Sequence, residues 1–408
     1  MDNPQLKKYA ELIVRSGGNV QKGQLVIISC DIGDAYFGRL VQEYAYDVGA
    51  SNVSMEWSDR SSTRLTYLRA EDKTFDTFPS WLVEKYKHRD GEGAVYLHIT
   101  SGDPDLLAGV DPDRLKRYSK ISQTALKDHS DLLMSGVLRW MGCAIPSPAW
   151  AKKVFPSLPE AEAMERLWAL VLKASRADGI DPVADWVTHN NNFNKRLGYL
   201  NEQQFSALHF TTGLGTDLTI GLVENHVWTG GADTANDGLS FLPNIPTEEI
   251  WTAPDYRTTQ GRVVASMPLS YHGNLIEGME FTFKDGEVID YRANRCQEIL
   301  ENIIGTDSGS CRLGEVALVA SSSPISQMNT LFYNTLYDEN ASCHLALGRA
   351  YPKNVKNGTN LTKEELAAVG MNDSLIHVDF MFGTSDMKVV GIGKDGNKTV
   401  IVDSGDFV

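Results

Sequence analysis

Two parts of different class are predicted: an α/β N-terminal domain with a mainly parallel sheet over residues 1–200, and an α+β C-terminal domain with a largely antiparallel sheet over residues 201–408. Strand-like and helix-like segments alternate in the first half, the pattern of a doubly wound sheet. From Phe205 onward, short strand-like runs follow one another closely. At 408 residues the chain is long enough for two ordinary hydrophobic cores.

The chain opens at Met1-Asp2-Asn3-Pro4 on an amphipathic helical pattern. Leu25-Val26-Ile27-Ile28-Ser29-Cys30 is a short apolar, β-branched run of the kind found in buried parallel strands. A helical pattern follows from Asp31 to Val48 and is closed by Gly49. Asn52 to Trp57 and Ala94 to Ile99 read as strands, and Pro112 to Lys127 as a helix capped by Asp111. Pro156 to Asn201 is mainly helical. Further strands are expected at Leu208–Phe210, Asp217–Leu222, Arg262–Ser266, Met279–Lys284, Val316–Ala320 and Leu375–Met381. Lys284-Asp285-Gly286 is a hairpin signal leading into Glu287-Val288-Ile289. No Gly-x-Gly-x-x-Gly follows the first strand, and Gly213-Leu214-Gly215 lacks the third glycine, so a dinucleotide site has no support.

Composition narrows the partners. A formal net charge of −15 argues against nucleic acid and against an anionic membrane, both of which need basic surface. An acidic field favours cationic ligands such as metal ions and free amines, or simply keeps the protein soluble. No apolar run approaches the roughly 20 residues that span a membrane. The N-terminus lacks the layout of a secretory signal, so a cytoplasmic location is expected. The five cysteines (Cys30, Cys143, Cys296, Cys311 and Cys343) are scattered, with no Cys-x-x-Cys pair. That argues against a disulfide framework and against a thiolate zinc module.

Four clusters in the second half carry possible chemistry. His377 and Asp379 lie two apart in Leu375–Met381, so a strand would turn both to one face and bury Ile376, Val378 and Phe380 on the other. Glu339 and His344 form a second carboxylate–imidazole pair. Glu248-Glu249 stand between Pro246 and Trp251, and Glu315 begins the apolar stretch Val316–Val319. Carboxylates and imidazoles are good ligands for hard or borderline divalent cations. Each cluster also has a plain reading, as solvated acids at strand ends or ordinary ion pairs. Around the Glu339 and His344 pair, Asn340 is expected to cap a helix from Ala341 to Ala350. His344, Gly348 and Tyr351 would then share one face, and Pro352 would end the helix.

The segments Asn244–Glu249, Leu313–Val319, Asp338–His344 and Ile376–Asp379, with Gly213–Leu218, resemble the aminopeptidase T/aminopeptidase S family of dinuclear metallopeptidases along nearly the whole chain. The resemblance implies metal ligands at Glu249, Glu315, His344, His377 and Asp379, a functional Glu339, and Tyr351 at or beside the metals. It implies two divalent ions per subunit (zinc, cobalt, manganese or magnesium) and a homodimer whose first domain shapes a cavity over a catalytic second domain. The activity expected is removal of N-terminal residues from short peptides.

In the mechanism this suggests, the two ions would share a carboxylate, Glu315, and activate a water. Glu339 is either a general base or a further ligand, Tyr351 a donor to the oxyanion, and Glu248 a contact for the substrate amine. Two rival readings differ in class. A binding protein with a structural metal would saturate its ion with four tight ligands, often cysteines. A metal-dependent hydrolase of phosphate or other small amide substrates would bring Lys or Arg into the site, where only Arg349 and Lys353 are near.

Overall fold

A computed structural model describes residues 3–408 apart from His272; Met1 and Asp2, where the N-terminal helical pattern begins, lie outside the described residues. Two compact units form, Met1–His189 with Ala232–Pro246, and Asn190–Gly231 with Thr247–Val408. The first differs from a 1–200 domain because Asn244–Ile245 adds a strand beside Trp140–Ala144, and the Leu242 N–H donates to the Gly17 carbonyl. Among the described residues no helix is long and apolar enough to cross a membrane.

The first unit is an α/β structure on a five-stranded parallel sheet. Its order is Asn52–Ser58, Leu25–Asp31, Val95–Thr100, Trp140–Ala144, Asn244–Ile245. Leu25–Asp31 is an interior strand, paired on both edges, with Val26, Ile27 and Ile28 buried. That burial on both faces is why the run is continuously apolar rather than alternating. The helix Ala35–Asp47 follows it after a single 3₁₀ turn, and Asp111 caps Pro112–Ala125 by accepting from the Asp113 N–H at 2.9 Å.

The second unit stacks two antiparallel sheets. The larger has eight strands ordered Glu287–Arg292, Glu280–Lys284, Gln260–Val264, Asp217–Gly221, Ala207–Thr211, Lys388–Ile392, Lys398–Asp403, Asp406–Phe407. The hairpin at Lys284–Glu287 is present, with Asp285 and Gly286 both at positive φ (51° and 79°), as a tight two-residue turn requires. Gly213–Gly215 is likewise a hairpin turn, between Ala207–Thr211 and Asp217–Gly221. The smaller sheet has five strands ordered His377–Met381, His344–Gly348, Leu313–Val319, Glu249–Thr252, Thr229–Gly230. Ile250, Val316, Leu318, Leu345, Leu347, Val378 and Phe380 share one core with Phe210, Leu218, Val263 and Phe281 of the larger sheet. Phe281 and Phe380 meet across the layers with ring centroids 4.7 Å apart.

The expected helix Ala341–Ala350 does not form. Glu339–Ala341 is one 3₁₀ turn, and His344–Gly348 is a strand paired on both edges. A spacing of four residues places His344 and Gly348 on one face under either period, so helix and strand could not be told apart on that evidence. Leu375–Met381 pairs only from His377. The Leu375 N–H is taken by Asp307 Oδ2 and the Ile376 N–H by Ser374 Oγ, which leaves neither free for the ladder.

Candidate metal centre

Register assembles the site. Across the smaller sheet, Glu249 stands opposite Val319, Trp251 opposite Ala317, and Ala317 opposite His344. Glu315 is opposite Ala346, Ala346 opposite Asp379, and Gly348 opposite His377. Side chains alternate along each strand, so Glu249, Glu315, His344, His377 and Asp379 all leave the face turned away from the core. The intervening positions on that face, Ala317, Ala346 and Gly348, carry little or no side chain and leave space between these five side chains.

Two groups result, and they share one carboxylate: Glu249, Glu315 and His344, and Glu315, His377 and Asp379, each with its donor atoms within 4.8 Å of one another. His344 Nε2 lies 2.8 Å from Glu249 Oε2 and 3.5 Å from Glu315 Oε1. His377 Nε2 lies 3.7 Å from Glu315 Oε2 and 3.4 Å from Asp379 Oδ1. None of the five side chains is more than 18% exposed, so their charges act on one another with little screening by water.

Both imidazoles are oriented by the backbone. His344 Nδ1 is 3.0 Å from the Ser342 carbonyl, and His377 Nδ1 is 2.7 Å from the Arg349 carbonyl. A carbonyl can only accept, so Nδ1 carries the proton in each ring. Nε2 is thereby committed to the carboxylates, which is the tautomer a metal-ligating histidine needs.

Electrostatics show what the cluster lacks. Burial pushes Glu315 up to about 7, with the charges of Asp379 and Glu249 adding to the effect. Burial, then Glu249 and Asp379, holds Glu339 well above the carboxylate range. Burial opposes charge on His344, but its hydrogen bonds to Glu249 and Glu315 override this and keep the ring's pKa well above the ordinary value. His377 rises to about 9 against burial, through Asp379. Four carboxyls thus crowd two imidazoles, and protons supply the missing positive charge. Asp379 Oδ1 is buried and has no partner closer than His377 Nε2 at 3.4 Å, so its lone pairs suit a cation. The donor set fits divalent ions: carboxylates and imidazoles, one carboxylate shared, and no thiolate.

Glu339 lies outside both groups. It lines a small cavity with Asp379, Leu269, Ser270, Thr335 and Met381. Asn340, next to it and fully buried, accepts from the Glu248 N–H at 2.6 Å and donates to the Leu336 carbonyl at 2.9 Å. The turn carrying Glu339 is thereby tied to the start of the strand carrying Glu249. Glu248 itself is buried, and its charge, with that of Asp406, supports the Arg196 guanidinium against the cost of burial.

Tyr351 arrives from the loop after His344–Gly348 rather than along a helix. Its ring stands edge-on to Trp251 (centroids 5.3 Å apart) and tilted on His377 (4.8 Å). Burial, then Glu315 and Asp379, raises its phenol above the ordinary value, so the hydroxyl keeps its proton. Trp251, itself crossed by Lys353 Nζ at 4.9 Å, had a readable signal, because two residues beyond Glu249 in a strand is the same face. Asn340 and the carbonyls of Ser342 and Arg349 had none, since their roles depend on contacts made through the fold.

A family model described as thermophilic metalloprotease (M29) matches residues 2–407. The chain is 42% identical over 403 residues to Aminopeptidase 2 of Geobacillus stearothermophilus, covering 99% of this chain and 97% of that protein. It is 40% identical to Aminopeptidase T of Thermus thermophilus, covering 99% and 98%. The solved structure of wild-type AmpT from Thermus thermophilus superposes with a TM-score of 0.93 at 39% identity over 99% of both chains. The chain belongs to the thermophilic metalloprotease (M29) family.

Proposed function

We propose that this metalloaminopeptidase removes the first residue from short peptides at a two-metal centre in which Glu315 is shared, Glu249 and His344 complete one side, and His377 and Asp379 complete the other. The observation that carries the reading is the division of Glu315, with Oε1 toward His344 and Oε2 toward His377. When bound, the ions supply Lewis acidity to the scissile carbonyl and lower the pKa of the attacking water.

The chain's own groups do the rest. Glu339, outside both ligand groups and ionised once bound cations offset the neighbouring carboxylates that hold its proton, would take the proton of the attacking water and return it to the leaving amine. The Tyr351 hydroxyl, kept protonated by its surroundings, donates to the oxygen on which charge develops. A free α-ammonium is the substrate group that a surplus of carboxylates attracts, which favours exopeptidase action. Phosphate substrates are disfavoured by the same surplus of carboxylates, which repels an anion. A cytoplasmic homodimer, with access limited to short peptides, belongs to the same reading.

The test pairs metal analysis with activity on an aminoacyl anilide and its N-acetyl derivative. Two ions per chain, loss of activity on chelation, recovery on adding back the metal, and no cleavage of the blocked substrate are expected. Full activity in chelator-treated protein would sink the reading.

A further inference from the structure

We infer that Asn354 is a positioning residue for the reaction, the bolt that fixes Tyr351 against the metal centre; the inference rests on the proposed role of Tyr351 as a donor. Tyr351 belongs to no helix or strand that could aim it. It precedes the single 3₁₀ turn Pro352–Asn354, which closes through the Asn354 N–H on the Tyr351 carbonyl at 3.0 Å. One turn of that kind does not hold a direction by itself.

Asn354 supplies the hold. The residue is fully buried, and its side-chain NH₂ reaches the Val227 carbonyl at 3.1 Å, the Thr229 hydroxyl at 3.2 Å and, more weakly, the Trp251 carbonyl at 3.4 Å. Its own carbonyl accepts from the Val227 N–H at 2.7 Å. Thr229 and Trp251 are paired across adjacent strands, and Trp251 is the ring against which Tyr351 stands. The same amide group therefore bolts the Tyr351 turn to the strand that carries Glu249. On the other side, Tyr351 meets His377.

A second observation sets this amide apart from ordinary loop packing. Asn354 Oδ1 is buried with no hydrogen-bond partner. Flipping the amide would aim Oδ1 at the Val227 and Trp251 carbonyls, so the observed orientation keeps the donors and sacrifices the acceptor. An apolar side chain would avoid the orphan. The asparagine acts here through its donor end, the end that fixes the turn.

A double-mutant cycle with Tyr351 tests this. Asn354→Ala is expected to lower kcat by roughly 10²-fold, the scale of a small misplacement, with KM and metal content unchanged. In a Tyr351→Phe background the same change is expected to lower kcat by no more than about 3-fold, because the group it positions is already gone. Asn354→Ser, which keeps a donor on a shorter arm, should recover part of the loss, and it carries the cycle if the alanine variant does not fold. Wild-type kcat in Asn354→Ala, or losses that multiply in full in the double variant, would overturn the inference. If Tyr351→Phe alone keeps wild-type kcat, the donor role of Tyr351 fails, and the role of Asn354 with it. A kcat loss in Tyr351→Phe that Asn354→Ala does not share overturns the positioning role alone.

Discussion

The two oxygens of Glu315 face different imidazoles, 3.5 Å from one and 3.7 Å from the other, and no other carboxylate here belongs to both donor groups. Replacing one oxygen by NH₂ removes a donor atom from one side and the shared negative charge from both. Glu315→Gln is therefore expected to bind fewer than two ions per chain and to lose at least about 10²-fold in kcat; a variant that keeps full metal content and full turnover would show that the carboxylate is not shared. Glu339 is a different case, because it stands outside both groups and its proton, not its coordination, is at issue. Glu339→Gln is expected to keep both ions while kcat falls by about 10²–10⁴-fold, the range for a lost general base. Loss of one ion in that variant would instead make Glu339 a ligand. These residue types were legible in the sequence because chemistry at this scale needs particular side chains. Asn340 and Asn354 were not legible, since an asparagine declares its partners only once the chain has folded.

At the scale of the strand, what makes the site is alternation with register. His377 and Asp379 could be placed on one face from spacing alone, and their opposite neighbours Val378 and Phe380 do enter the core. What spacing could not supply was the cross-strand pairing that brings Ala346 between Glu315 and Asp379, or the fact that His344 sits on a strand at all. The four-residue interval from His344 to Gly348 fits a helix face and a strand face equally, and only pairing on both edges decides. Gly348 is where that pairing is most demanding. Its φ is +106°, and a Cβ there would lie 2.2 Å from the Ile376 carbonyl oxygen, directly beside the strand that presents His377. Gly348→Ala is expected to destabilise the fold by about 1–3 kcal/mol and to weaken metal binding on the His377 side, read by thermal melting and metal titration. A variant that melts and binds as the parent does would show that the strand ladder relaxes without disturbing the site.

Across the whole molecule, metal binding at these five side chains would be coupled to folding through protons, and the coupling has a definite sign. In the metal-free chain His377 is raised from 6.5 to about 9, Glu315 from 4.5 to about 7, and His344 well above its ordinary value. Each group holds a proton in the folded state that the unfolded chain has released over the same interval, so stability falls as pH rises through it. The contribution of His377 is complete below its unfolded value of 6.5 and gone above about 9; that of Glu315 declines between 4.5 and about 7. Ions held by these side chains would need the same positions free of protons, so acid would expel them and the metal-loaded form would lose stability in the opposite direction. Melting temperature is therefore expected to fall from about pH 6 to about pH 9 in chelator-treated protein and to rise over about pH 5 to 8 in metal-loaded protein, the two curves having opposite slopes near neutrality. Calorimetry at about pH 7 should find protons released as the ions enter, about two from the imidazoles and a further fraction from Glu315. Parallel pH profiles with and without metal, or metal binding that releases no protons, would mean that these five side chains are not the ones that hold the ions.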